Sequence, residues 1–182
     1  MEDYLFNEVN QNFKKNGYLE PEEFFAIVIW KSPRTKTKVL KGINEKQVNI
    51  KQITKKLNEC SLKEKITLLR YKKDVGGIKG SGIKGIGIPI ASAILTVCYP
   101  TDFTVVDYRA KNSLENLGIK NLEKKIKGNP SENVDAYFDY LTICKEEALK
   151  RDLSLRDFDR TLFGKDIYEG EKGIKQLSKE IS

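Results

Sequence analysis

Two short stretches hold the residues best suited to chemistry in this chain. One is Gly80-Ser81-Gly82-Ile83-Lys84-Gly85-Ile86-Gly87-Ile88-Pro89, and the other is Val105-Val106-Asp107. Closely spaced glycines let a backbone pass near a phosphate, because they carry no Cβ. An aspartate after a short apolar run is a carboxylate held at the edge of a core. Histidine is absent, which excludes imidazole zinc sites and every catalytic pair built on His. Proton transfer therefore falls to carboxylates, lysines or tyrosines. Cys60, Cys98 and Cys144 are far apart and in no C-x-x-C spacing. They are expected to be reduced core residues, not disulfides or metal ligands.

The glycine stretch supports two readings. Gly80 to Gly85 fits G-x-G-x-x-G, and Asp107 lies about 20 residues after its third glycine, where dinucleotide-binding folds place the acid that holds the ribose. That reading needs a buried strand before the turn and a helix running on from the third glycine. Ile66 to Lys73 is instead basic and helix-periodic, and Gly87 and Pro89 interrupt the first turns of such a helix. The second reading is a hairpin between two helices. Gly85 and Gly87 make the turn, Pro89 falls in the first turn of the next helix, and the free N–H groups of that helix form an anion site flanked by Lys79 and Lys84. A plain helix-helix turn has the same local chemistry.

The elements that must position these residues are helical nearly throughout. A first segment spans Tyr4 to Lys14 and closes at Gly17. Pro21 opens a second helix, apolar on most sides through Phe24, Ile27, Val28 and Trp30, which ends at Ser32-Pro33. Asn44 is read as the cap of a lysine-rich helix over 45–57. Ser61 to Glu64 is a capping box. Ile90 to Tyr99 carries no charge and reads as a buried helix ended by Pro100. Asp107 is read as the cap of a helix with Ala110, Leu114 and Leu117 inward. Ser131 opens a long helix, and Ser154 a last short one with Phe158 and Leu162 inward. From about 168 the chain is polar and expected to fray. No stretch shows the period-2 alternation of a strand.

A chain of 182 residues with 39% hydrophobic and 32% charged residues is long enough for one domain with a proper core. No run approaches the roughly 18 apolar residues of a membrane span, and the N-terminus is acidic where a secretory signal is basic. These features lead to the expectation of an intracellular, cytoplasmic protein. The net charge of +7 favours a polyanionic partner; a lysine-rich surface of no special function has the same composition.

Residues Ile83 to Leu95, followed by Phe103-Thr104-Val105-Val106-Asp107, resemble the signature of the helix-hairpin-helix DNA glycosylase superfamily: a glycine hairpin, a buried helix, then an aspartate after two or three apolar residues. The strong match covers residues 83 to 110. The resemblance implies an all-α, two-lobed single domain over 1–182, with hairpin and aspartate in 76–118, acting as a monomer on duplex DNA. It implies that the backbone at Gly85, Gly87 and Ile88, with Lys79 and Lys84, holds a phosphate, often with a monovalent cation. It implies that a flipped base loses its N-glycosidic bond beside Asp107. Lys31 and Arg34, after the second helix, fall where the family contacts DNA, and Trp30 is placed to stack on a base or to fill the core. Two departures matter. Members that also cut the strand carry a lysine where Pro89 stands, so hydrolysis without strand cleavage is expected. The four-cysteine iron-sulfur cluster of one branch has no counterpart, since only Cys144 follows the signature. The alternative is a DNA-binding module that keeps the hairpin, with Asp107 a helix cap only. A dinucleotide-dependent enzyme is the third reading.

Overall fold

The computed structural model describes residues 1–73 and 81–164; Lys79, the rest of 74–80, and the tail from about 168 lie outside the described residues. Among the described residues the chain is helical and no strand forms, with Arg70 and Ile83 meeting in an isolated bridge. A π-helical stretch Tyr4–Val9 runs into α1 (Asn10–Asn16), which Gly17 ends in the left-handed region. In α2 (Pro21–Lys31) proline sits in the first turn, and Glu20 and Glu23 close a capping box. Ser32 is extended, and Pro33–Thr35 makes a 3-10 turn leading into α3 (Lys36–Lys46).

Here the chain departs from the expected single helix over 45–57. Gln47 takes a left-handed conformation that ends α3, so Asn44 lies inside that helix. Asn49 is the cap instead: its side chain accepts from Gln52 N at 3.0 Å to open α4 (Ile50–Lys55), which a 3-10 turn Lys56–Glu59 extends. The capping box at Ser61 forms as expected and starts α5 (Leu62–Leu69).

The core is built around α6 (Ile88–Cys98), whose residues are buried from end to end except Pro89. It packs against α1, α2 and α5, which is what an uncharged helix requires. Asn10 donates from its side chain to the Val97 carbonyl at 2.7 Å, pairing one of the last backbone groups of α6. The extended segment after Tyr99 has no sheet to join, and side chains satisfy its backbone. Ser92 Oγ accepts from Val106 N at 3.2 Å, Tyr137 donates to the Thr104 carbonyl at 2.9 Å, and Tyr140 donates to the Val105 carbonyl at 3.3 Å.

Beyond Asp107 come α7 (Ala110–Asn116), α8 (Leu122–Lys125), α9 (Val134–Lys150) and a helix, α10, over 155–164. The long helix opens three residues later than expected from Ser131. Asn133 is its cap, accepting from Ala136 N at 3.0 Å. Phe158 and Leu162 point inward on α10 as their spacing predicts. Cys98 and Cys144 are buried, Cys60 is half-buried, and all three are free thiols. No helix among the described residues is long and apolar enough to cross a membrane.

Candidate functional site

The turn before α6 is fixed from both sides. Tyr71 N donates to the Ile86 carbonyl at 2.8 Å, and Ile83 N donates to the Leu69 carbonyl at 3.1 Å, so the chain leaving α5 is latched to the chain entering α6. Gly85 has φ of 97°, a conformation that other residues rarely hold, and a Cβ there would meet Val39 N of α3 at 2.9 Å. Gly87, the second glycine of the expected turn, is extended with φ of −95° because it is the residue that opens α6. Its backbone is exposed, and a Cβ would find only Pro89 Cδ at 3.6 Å. Ile88, backbone included, is buried, so the exposed backbone of this turn is at Gly87. Lys84 donates to Glu45 at 2.7 Å in a half-exposed ion pair. Arg34 is exposed on the 3-10 turn after α2.

A cavity of about 290 Å³ lies on another part of the surface, at the lower end of the range of small-molecule pockets. Asp107 and Lys31 both line it. Asp107 reaches this place because the hydroxyls of Ser92, Tyr137 and Tyr140 hold the extended segment between α6 and α9. Its carboxylate accepts from Arg109 N at 2.8 Å in a turn that precedes α7, three residues before that helix starts. Asp107 is therefore not the helix cap the sequence suggests, because the segment leaves the core at Val106 and turns before it coils. Lys31 enters from the last turn of α2. Burial lowers its amine below the usual lysine range, and the nearby carboxylates of Asp107 and Asp159 oppose that shift. Trp30, half-buried beside it, meets Phe6 edge to face at 5.8 Å, so the indole is a wall of the cavity packed against the core.

The opposite wall comes from residues that the sequence did not single out. Asp159 and Arg156 on α10 form a close ion pair that is largely buried. The Arg156 guanidinium also pairs with Glu2 at 2.7 Å and lies over the rings of Phe6 and Trp30. Burial works against the charge of Glu2, but hydrogen bonds from Arg156 and Arg160 outweigh it and hold the carboxyl below the usual range. Burial pushes the Asp159 carboxyl up to about 6 against the pull of Arg156 and Lys31. The Thr104 hydroxyl, buried with no partner in hydrogen-bond geometry, lies near enough to Asp159 to oppose that rise. Tyr140 closes the floor. One signal for Asp159 was present in the sequence. Leu155, Phe158, Asp159 and Leu162 share the i, i+3, i+4, i+7 spacing of one face, so a carboxylate stands on the inward side of an apolar stripe.

The arrangement brings together two carboxyls of unequal exposure, an amine and an aromatic wall around a recess that admits a small planar group. The glycine turn, Lys84 and Arg34 do not line it. Among the described residues no cluster of His, Cys, Asp and Glu is arranged to hold a metal ion. No family model, no curated protein and no solved structure matches this chain.

Proposed function

We infer that the protein is a DNA glycosylase of the helix-hairpin-helix kind, a two-lobed enzyme that binds duplex DNA and removes a flipped base by hydrolysis. The observation that carries this reading is the cavity itself. Asp107, chosen from the sequence for its distance from the glycine turn, lines a recess of about 290 Å³ together with Lys31 and Trp30, which are distant in the chain. A carboxylate so placed stabilises the cationic sugar that forms as the C1′–N bond breaks, and it takes a proton from the attacking water. Trp30 and Tyr140 offer flat surfaces to the extruded base. The exposed backbone at Gly87 stands at the N-terminal end of α6, the end of a helix that attracts a phosphate, and the net charge of +7 favours the polyanion.

The test is a panel of duplexes carrying uracil, hypoxanthine, 8-oxoguanine and 7-methylguanine, incubated with wild type and with Asp107→Asn. Base release is expected from at least one duplex, with a loss of about 10²-fold or more in the variant. DNA binding without release on any duplex would leave a non-catalytic DNA-binding module. The absence of both binding and release would remove the nucleic-acid reading altogether.

A further inference from the structure

We propose that Asp159 is a second catalytic carboxyl of this cavity, the acid that protonates the departing base, and that the substrate is therefore a neutral base that leaves poorly without a proton. The proposal rests on the reading of the cavity as a base-removal site. Asp159 is 8% exposed and shares the cavity lining with Asp107. Arg156 engages its Oδ2, and the Thr104 hydroxyl lies close to the carboxyl. The carboxyl is thus held in place on the wall of the cavity.

The groups that face Asp159 come from every side. Arg156 lies on the same helix, Lys31 on α2 and Thr104 on the extended segment. Tyr137, Tyr140 and Cys144 come from α9. The two cations favour the carboxylate, yet burial prevails and the group titrates at about 6. An acid of that strength is partly protonated near neutral pH and gives its proton up readily, which suits a general acid. Asp107 is half-exposed, whereas Asp159 is buried. Two carboxyls in unlike surroundings divide acid and stabilising roles between them in many glycosyl-transfer sites.

The step balances as follows. The proton on the Asp159 carboxyl passes to a ring nitrogen or carbonyl oxygen of the base. The C1′–N bond breaks, and its electron pair stays with the base nitrogen. The cationic sugar faces Asp107; water adds at C1′ and gives its proton to that carboxylate. Asp159 then regains a proton from solvent, as Asp107 returns its own. A base already made cationic by alkylation leaves as a neutral molecule with no proton at all, so it needs Asp107 and not Asp159.

The experiment compares single-turnover release of uracil and hypoxanthine with release of 7-methylguanine, for wild type, Asp159→Asn and Asp107→Asn, between pH of about 5 and about 8. For neutral bases the wild-type rate is expected to fall about tenfold per unit as pH rises beyond about 6. Asp159→Asn is expected to lower it about 10²-fold and to flatten the profile. Release of 7-methylguanine is expected to lose at least about tenfold less than release of the neutral bases in Asp159→Asn, and to collapse in Asp107→Asn. Equal losses for neutral and cationic bases in Asp159→Asn, or an unchanged neutral-base rate, would overturn the acid role while base removal stands. Wild-type action on 7-methylguanine alone would do the same. Absence of release from every duplex would defeat the underlying reading and the proposal with it. The wild-type pH profile needs no variant, so it decides the question even if Asp159→Asn does not fold.

Discussion

Asp159 and Glu2 sit on two sides of one arginine and titrate in opposite directions. Glu2 is held below its usual range by Arg156 and Arg160, so its contribution to stability is present above that range and is lost as pH falls through its folded value. Asp159 is raised from 3.8 to about 6 by burial, so the folded protein keeps this proton longer than the unfolded chain does. The stability it confers is present at acid pH and disappears as pH rises from about 4 to about 6, a change of roughly 3 kcal/mol. Asp159→Asn has no proton to lose there, and Glu2 is common to both proteins. The unfolding free energy of wild type minus that of Asp159→Asn should therefore drop by roughly 3 kcal/mol between pH of about 4 and about 7. Urea unfolding at the two pH values measures it, and a flat difference would mean that water reaches this carboxyl more freely than its burial indicates. Asp107 was legible from the sequence because its spacing from the glycine turn can be counted along the chain. Asp159 was not, because a carboxylate on an apolar face gains meaning only when the element opposite it is known.

At the scale of elements, local chemistry decided most boundaries. Ser61 and Glu64 form the expected capping box, Pro21 and Pro89 open their helices, and Gly17 closes one. One exception, beside the starts of α7 and α9, is the lysine-rich region. Asn44 and Asn49 are both good caps, and nothing in the local sequence chooses between them. Gly42 also reads as a helix breaker, although it lies inside α3 and is buried. Its reason is tertiary: a Cβ there would overlap the Lys84 carbonyl, so α3 and the glycine turn approach closely at this point. Gly42→Ala should consequently destabilise the protein by about 1–3 kcal/mol, even though alanine is the better helix former by about 1 kcal/mol. Thermal unfolding of the variant tests this, and a gain in stability would show that the two segments can separate at little cost. Gly85 contacts the other side of the same junction through Val39, so the turn that the sequence offered as a phosphate clasp is also a packing joint.

For the whole molecule the charge balance is the property that bears on a partner. With 33 basic residues against 26 acidic ones, binding to a DNA duplex should weaken as salt rises. The slope of log affinity against log salt is expected to be about −0.9 for each phosphate neutralised. Lys84 must leave Glu45 to take part, so Glu45→Gln should tighten binding at low salt by about a few-fold. A fluorescence-anisotropy titration at several salt concentrations checks both, and a salt-independent affinity would argue against a phosphate-bound partner. The sequence by itself determined the helical class, the uncharged central helix and the glycine turn ahead of it, because periodicity, caps and φ preferences act within a few residues. It also marked Asp107 as a carboxylate at the edge of the core. The meeting of Asp107 and Lys31 with Asp159 and Arg156, and the pairing that holds Lys84, were decided only by the tertiary structure. These groups lie tens of residues apart in the chain, and their charges and burial follow from how α2, α10 and the extended segment pack.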